Sequence, residues 1–254
     1  MANAMGNAAQ KFKSVVVLRM FRVKNAIRTW HRYAAKNLKR QIKIGRARLK
    51  NAGGYKEYEF VADLYDHVSV YQRRQDVEFY VEFAKESNGP VLEVGCGTGR
   101  VLIPTARAEI PIVGIDLSPH MLKFCRQRLQ DEREDVQKRV TLVEADMRDF
   151  DLSQKFELIT IPFRPFQHLT IVQDQIACLT TIRSHLSPSG RFILDIFNPS
   201  LDVLVREIGE ELGDEPEFSM PDGRRVIRRY RVVERDYYNQ INHVEIIYYV
   251  THPD

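Results

Sequence analysis

The chain of 254 residues predicts an α/β fold built on a doubly wound parallel sheet. Two observations support this prediction: short apolar runs alternate with segments of helical spacing, and hydrophobic residues make up 44% of the chain. The clearest run is Val91–Val94, which is long enough for one buried parallel strand. Three glycines at alternate positions follow it, and the periodic segment 100–108 then predicts a helix.

The glycine turn after this strand distinguishes between two classes of ligand. A dinucleotide-binding turn reads G-x-G-x-x-G, whereas here Gly99 comes only two residues after Gly97. Glu93 lies within the strand, and its carboxylate would repel a pyrophosphate bound at the helix N-terminus. The stretch therefore favours a ligand with positive charge and no phosphate, such as S-adenosylmethionine with its sulfonium and α-ammonium groups.

The same stretch resembles motif I of the class I S-adenosylmethionine-dependent methyltransferases, which has the form E/D-x-G-x-G-x-G. The resemblance extends over roughly residues 55–199, because further motifs recur in order. It implies a Rossmann-like sheet of strand order 3-2-1-4-5 and S-adenosylmethionine as the cofactor. The cofactor-binding residues that it implies in this stretch are Glu93, Gly95, Cys96, Gly97 and Gly99.

Acidic residues follow the second and third predicted strands, Pro111–Ile115 and Arg139–Val143. The resemblance implies that Asp116 accepts hydrogen bonds from both ribose hydroxyls, with Leu117 beside it in the cofactor site. It also implies that Asp146 binds the adenine amino group and that the Met147 N–H meets a ring nitrogen. Ser118 is predicted to cap a helix that has Pro119 in its first turn and runs to about Asp135.

The segment before the first strand is rich in tyrosine and has helical spacing over residues 57–87, including a helix at Val77–Lys85. In many small-molecule methyltransferases an aromatic residue of this segment closes over the cofactor. Tyr65 is the first candidate for that role and Tyr71 the second. The alternative is that both tyrosines only pack, with their hydroxyls at the surface.

The loop after the fourth predicted strand, Phe156–Ile161, is the one in which the family places its catalytic residues. Pro162 begins this loop and is included in the predicted cofactor site. Residues 167–169, Gln-His-Leu, resemble a Gly-His-Leu of the sugar N-methyltransferases, with Gln in place of Gly. The signature of nucleic-acid and protein amide N-methyltransferases is missing, which favours an amine or hydroxyl of a small molecule as the methyl acceptor.

His168 is the candidate general base, because an unperturbed histidine titrates near neutral pH. It could equally be a structural histidine or a donor that orients the substrate. Arg164 could hold an acidic group of the substrate, or it could be a solvated loop charge. No metal site is predicted in this loop or elsewhere.

The remaining chain predicts a helix at Gln173–Leu186, a fifth strand at Arg191–Ile196 and a helix at Leu201–Leu212. Arg225–Arg235 and His243–Thr251 alternate in hydrophobicity and predict an antiparallel β-hairpin that covers the substrate. The family adds a helix and two closing strands, which are missing here. Either the hairpin substitutes for them or the sequence is a truncated piece, and we favour truncation.

Residues 1–54 hold 14 of the 38 basic residues and no acidic residue, which leaves a net charge of −10 on the remainder. They predict a basic amphipathic helical arm and linker, whose apolar face is Met20, Val23, Ile27, Trp30, Ala34 and Leu38. The favoured role is docking on the catalytic domain or a second subunit, with the hairpin as another surface for a homo-oligomer. Contact with an anionic membrane, contact with nucleic-acid phosphates and a transit segment stay open.

The predicted domains are therefore the arm (1–54), the cofactor-binding domain (55–200) and the hairpin region (201–254). Three cysteines with no metal-site spacing predict a reduced, cytoplasmic setting. The sequence contains no run of eighteen apolar residues, so no membrane span is predicted. Two other function classes stay open beside the methyltransferase: a non-catalytic binding module on the same fold, and a nicotinamide-dependent oxidoreductase that the glycine spacing disfavours.

Overall fold

The computed structural model describes residues 10–19, 59–72, 74–213 and 215–253. Their elements are, in chain order, β1 (Gln10–Arg19), α1 (Glu59–Tyr65), α2 (Ser69–Gln72), α3 (Val77–Glu86), β2 (Val91–Val94), α4 (Leu102–Arg107), β3 (Ile112–Asp116), α5 (Pro119–Gln130), α6 (Glu134–Gln137), β4 (Val140–Glu144), β5 (Phe156–Ile161), a 3₁₀ helix (Pro165–His168), α7 (Val172–His185), β6 (Leu186–Leu194), α8 (Leu201–Val205), β7 (Leu212–Gly213), β8 (Phe218–Ser219), β9 (Arg225–Asp236) and β10 (Ile241–Thr251). They form a parallel sheet and an antiparallel sheet.

The parallel sheet has the order β4-β3-β2-β5-β6, which confirms the predicted order 3-2-1-4-5. All four residues of β2 are buried, because helices cover both faces of the sheet. Val91 packs with residues of α3, α4 and α5 on one face. Leu92 and Val94 pack with Cys178 and Ile182 of α7 on the other. This arrangement is the doubly wound sheet that the alternating pattern predicts.

Two predicted helices are shorter in the structure. The helix capped by Ser118 ends at Gln130 rather than Asp135, because the Gln137 side chain donates to the Glu132 carbonyl (2.7 Å) and closes the turn. The helix that begins at Leu201 ends at Val205 rather than Leu212. Gly209 has a φ of +90° and donates its N–H to the Val232 carbonyl (2.8 Å), so the chain there joins the antiparallel sheet.

The predicted hairpin is confirmed as β9 and β10, with a β-bulge between His243 and Val244. Strand β1 pairs antiparallel with β10 along its whole length. Residues 10–19 are thus extended, although we predicted a helical arm over 1–54; β-branched residues such as Val15–Val17 favour strands. The predicted helical face from Met20 to Leu38 and the linker at 52–54 lie outside the described residues.

The antiparallel sheet packs on α1 and not on the edge of the parallel sheet. Leu64 of α1 forms an apolar cluster with Val226, Ile246 and Tyr248 of the hairpin. Within the described residues β6 is an edge strand, and the hairpin pairs with β1, β7 and β8. The hairpin therefore does not substitute for the closing strands at that edge, while truncation stays a prediction. No described helix has the length and apolar character needed to cross a membrane.

Candidate functional site

A cavity of about 470 Å³ lies at the carboxyl ends of β2, β3, β4 and β5, where ligands bind in doubly wound sheets. Eleven of the twelve predicted site residues line it: Tyr65, Glu93, Gly95, Cys96, Gly97, Asp116, Leu117, Asp146, Met147, Pro162 and His168. The twelfth, Gly99, does not. The motifs that were separate in the sequence therefore meet around one space.

The glycine turn is tied to the end of β3 by hydrogen bonds from the Gly95 and Cys96 N–H groups to the Ile115 carbonyl (2.8 and 3.0 Å). Gly97 has a φ of +55° and open space where a Cβ would lie, so a side chain there would enter the cavity. Gly99 has a φ of +86°, and its Cβ would lie 2.8 Å from the Cys125 Sγ. Gly99 thus allows close packing behind the cavity wall, and its contact with the cofactor stays a prediction.

Asp116 holds the turn from the tip of β3. Its carboxylate accepts hydrogen bonds from the N–H groups of Gly97 and Ser118, both at 2.8 Å. Loss of hydration raises the pKa of Asp116, against the opposing effect of the backbone N–H donors of Ser118, Gly97 and Leu117. Each carboxylate oxygen has a second lone pair that can accept from a ligand hydroxyl. The predicted N-cap is confirmed, since Ser118 Oγ accepts from the Met121 N–H (3.2 Å).

Glu93 is a buried carboxyl group in the wall of the cavity, with only 2% of the residue exposed. Its Oε2 atom has no hydrogen-bond partner among the described residues. Loss of hydration raises its pKa to about 8, although the charge of Arg100 opposes this and those of Asp116 and Asp76 add to it. Arg100 is itself paired with Asp76, at 2.5 and 3.1 Å. The site therefore has a place for a proton or a cation beside Glu93.

The far side of the cavity carries a paired group of charges. Arg148, which we did not predict, donates to Asp146 (Nη2 to Oδ2, 2.5 Å) and to Asp174 (3.1 Å). The carboxylate predicted to bind the adenine amino group is thus already engaged by a neighbouring side chain. The Asp-Met-Arg spacing could have predicted this pair. An aspartate often accepts a hydrogen bond from the backbone N–H two residues later, as Asp146 Oδ1 does from the Arg148 N–H (2.9 Å), and this places the two side chains near each other.

Tyr65 reaches the cavity because the segment after α1 is anchored to the glycine turn. The neighbouring residue, Asp66, accepts a hydrogen bond from Thr98 Oγ1 (2.6 Å). The Tyr65 ring lies 4.5 Å from that of Tyr71, centroid to centroid. Tyr71 is buried and its hydroxyl accepts from Arg228 Nη2 (2.7 Å), so the alternative of a surface hydroxyl is wrong for Tyr71.

Gln167 explains how this loop differs from the Gly-His-Leu pattern. It is fully buried; its Oε1 accepts from the Phe197 N–H (2.6 Å), and its Nε2 donates to the Phe197 carbonyl (3.3 Å). The pair of bonds fastens the 3₁₀ helix to the chain after β6. The next residue, His168, is thereby held at the cavity wall.

His168 is exposed at the surface. Partial loss of hydration among the surrounding protein atoms lowers the pKa of its ring toward about 4. Because solvent reaches the residue, we expect a smaller decrease than an enclosed ring would show. The imidazole is largely neutral at pH 7 with either the lowered or the ordinary pKa. It can therefore accept a proton.

Residues 91–190 match the family model described as a methyltransferase domain. Over these residues the chain is similar to methyltransferase domains. This confirms the resemblance that motif I indicates, and the strand order is the one the resemblance implies. A nicotinamide-dependent oxidoreductase gains no support.

Relatives and solved structures extend the comparison. A dTDP-3-amino-3,4,6-trideoxy-alpha-D-glucopyranose N,N-dimethyltransferase of Streptomyces venezuelae is 31% identical over 105 residues, 41% of each chain. A dTDP-3-amino-3,6-dideoxy-alpha-D-glucopyranose N,N-dimethyltransferase of Streptomyces fradiae is 28% identical over 141 residues, 53% of this chain and 52% of that protein. The match thus spans about half the length of these curated relatives. The CcbJ methyltransferase of Streptomyces caelestis has the same fold, with a TM-score of 0.57, 21% identity and coverage of 79% and 81%.

The cavity has further lining residues that sequence reasoning missed. Besides Arg148 they include Thr98, Arg100, Phe163 and Asp174. Thr98 lies inside the quoted motif and Arg100 directly follows it, but their partners Asp66 and Asp76 are 32 and 24 residues away in the chain. No spacing rule connects such pairs, so only the folded chain brings them together.

Proposed function

We propose that this chain is an S-adenosylmethionine-dependent methyltransferase that transfers a methyl group to an amine or hydroxyl of a small molecule. The observation that carries the proposal is a pair of carboxyl groups, Glu93 and Asp116, in the cavity wall. Among the described residues neither has an ion-pair partner, whereas Asp146 and Asp174 are paired with Arg148. Such a cavity suits a cationic ligand, because the ligand's charge stabilises the ionised form of both carboxyl groups, whereas a pyrophosphate would have to bind beside the Asp116 carboxylate.

The described residues fit this ligand at three points. The unpartnered Oε2 of Glu93 can receive an ammonium group, and Asp116 can accept from ribose hydroxyls. Leu117 and Met147 offer apolar surface to an adenine ring, and Gly97 leaves room where a side chain would intrude. When bound, S-adenosylmethionine supplies an electrophilic methyl group on its sulfonium.

The chain's own residues then supply alignment and a path for the acceptor's proton. Alignment alone can remove roughly 7 to 11 kcal/mol of barrier. We assign the general base to His168, whose neutral ring lines the same cavity and whose loop is fastened by Gln167. A base of this kind contributes about 10²- to 10⁴-fold in rate. If His168 orients the acceptor instead, its effect lies in KM.

The acceptor is proposed to be a small amine, with a hydroxyl compound as the second choice. Support comes from the named activities of the relatives, which are N,N-dimethyltransferases acting on amino sugars linked to dTDP. Support also comes from the loop after β5, which lacks the amide N-methyltransferase signature. Three further roles stay predictions: contact of the basic residues before position 55 with a membrane, their contact with nucleic acid, and the formation of an oligomer.

The test is a pair of measurements on the full chain. Thermal-shift assays with S-adenosylmethionine, S-adenosylhomocysteine and NAD should show stabilisation by the first two only, about 2.7 kcal/mol at a hundredfold excess over Kd. Transfer of a radiolabelled methyl group should then be measured over a panel of amines, each paired with the corresponding alcohol. A shift with NAD alone would contradict the proposal, and cofactor binding without transfer to any acceptor would favour the non-catalytic module.

A further inference from the structure

Beside the cavity, the ring of Phe163 is surrounded by guanidinium groups. Their Cζ atoms lie 4.7 Å (Arg74), 5.7 Å (Arg100) and 5.5 Å (Arg164) from the ring centroid. Tyr71 packs edge-on against the same ring at 5.0 Å. Stacked cations on aromatic faces are favourable when the cations are partly desolvated. A fourth arginine, Arg228, stacks on Tyr71, with its Cζ atom 5.0 Å from the ring centroid. We call Arg74, Arg100, Arg164 and Arg228 the arginine cluster.

Carboxylates balance only part of this positive charge. Asp76 accepts hydrogen bonds from Arg74 (2.9 Å) and from Arg100 (2.5 Å). Asp195 accepts a second one from Arg74 (2.7 Å). Both arginines thus have acidic partners, and the excess positive charge lies elsewhere in the arginine cluster.

Arg164 has no acidic partner within the part of the chain that the structure describes. Among the residues that the structure describes, its guanidinium has no hydrogen bond and no ion pair, and its Nε is buried and unsatisfied. Its guanidinium contacts aromatic rings, and its Cζ atom lies 4.5 Å from the centroid of the Phe197 ring. Loss of hydration and the neighbouring charge of Arg74 lower its pKa, and the charges of Asp195 and Asp76 oppose this only in part. A half-buried cation in such surroundings is costly unless an anion completes it.

The backbone also holds Arg164 in an unusual conformation. Phe163 and Arg164 have φ values of +58° and +74°, two consecutive non-glycine residues in the left-handed region. This conformation turns the chain from Pro162 into the 3₁₀ helix that ends at His168. Phe163 and Pro165, its neighbours in the chain, line the cavity, whereas Arg164 itself lies beside the cavity and does not line it.

We propose that Arg164, within the arginine cluster, binds an anionic group, a carboxylate or a phosphate, that the methyl acceptor carries beside its nucleophile. The inference rests on the proposed function. A guanidinium presents a planar fork that binds either group through two hydrogen bonds, and the anion would restore the partners that Arg164 lost on burial. The acceptor would then be anchored in the same loop that carries His168.

The test is calorimetry on the full chain saturated with S-adenosylhomocysteine, titrated with inorganic pyrophosphate and, separately, with malonate. One of the two anions should bind, which distinguishes a phosphate from a carboxylate. Arg164→Met should weaken that binding roughly 10- to 100-fold, the range for charge-assisted hydrogen bonds. The matched control is Arg139→Met, a partly exposed arginine paired with Asp135 at the amino end of β4.

The melting temperature separates binding from a structural role. Because methionine fits between aromatic rings and removes a desolvated charge, Arg164→Met should melt at the wild-type temperature or above. Failure of both anions to bind, equal binding by Arg164→Met, or a lower melting temperature of that variant would overturn the inference. Before either anion is added, S-adenosylhomocysteine itself should bind the full chain. Its failure to bind would instead contradict the proposed function.

Discussion

The two halves of the cavity differ in how the chain builds them. The donor half is made by residues at the tips of β2, β3 and β4, each within a few positions of its strand. The proposed acceptor half is made by the loop after β5 and by Tyr65 at the end of α1. The hairpin sheet contacts this half from outside the cavity, because Arg228 donates to Tyr71 and Tyr71 packs on Phe163. A parallel sheet places strand ends together whatever surrounds them, so the first half follows from local patterns. The second depends on contacts between distant segments.

The largest effect is expected from a substitution that changes the acceptor half and leaves the donor half intact. His168→Ala should lower kcat by about 10²- to 10⁴-fold if the imidazole is the base, because that is the usual contribution of a positioned general base. The affinity for S-adenosylmethionine should stay nearly unchanged, since the donor half is intact. Steady-state kinetics with the best amine of the panel, together with calorimetry, would measure both.

The control for this variant is His252→Ala, which removes an exposed histidine beyond β10. It should keep the wild-type kcat. The defect of His168→Ala should shrink as pH rises, since a deprotonated acceptor needs no base. A pH-independent loss confined to KM would assign orientation to His168, and wild-type kinetics would remove it from the mechanism.

The opposite pattern is expected for the donor half. Asp116→Ala should weaken S-adenosylmethionine binding by roughly 10- to 150-fold, the range for hydrogen bonds to a charged group. It also leaves the Gly97 and Ser118 N–H groups without their acceptor, which loosens the turn. Asp131→Ala, at the exposed end of α5, is the matched control and should bind normally. Equal affinities of the two variants would refute the assignment.

These residues also show what could be predicted from the sequence. The strands β2 and β5 lie where their apolar runs predict, and Asp116 follows from the end of β3. The arginine cluster was not predictable, because its contacts join distant positions: Arg74 and Asp195 are 121 residues apart. Strand β1 was also missed, since ten extended residues beside a basic helical pattern become a strand only through the β10 edge.

A smaller effect is expected from loosening the loop of the acceptor half. Gln167→Ala removes two hydrogen bonds to Phe197 and leaves a small cavity, so the free energy of unfolding should fall by about 1 to 3 kcal/mol. The KM for the acceptor should rise, while the affinity for S-adenosylmethionine should stay unchanged. Urea denaturation and kinetics would measure this, with exposed Gln173→Ala as control. A fall in donor affinity of similar size would show that the halves are coupled.

A further prediction concerns the pH dependence of folding stability that Glu93 causes in the absence of ligand. Its pKa is raised from 4.5 to about 8 by burial. Below pH 4.5 the group is protonated in both folded and unfolded chains; as pH rises toward 8 the unfolded chain loses that proton first, so folding stability should fall. Urea denaturation from pH 5 to 8 should show this decline in the wild type and less of it in Glu93→Gln. An identical decline in both proteins would place the cause in other groups.

The most direct test of the account is whether this cavity binds a cationic methyl donor through Glu93. At pH 7 the free carboxyl is mostly protonated, and a bound ammonium should drive it to ionise. Calorimetric titration with S-adenosylmethionine in phosphate and in Tris, whose ionisation enthalpies differ, should report release of nearly one proton per site in the wild type. Glu93→Gln should bind more weakly and release none. Absence of binding, or equal proton release by both proteins, would contradict the account.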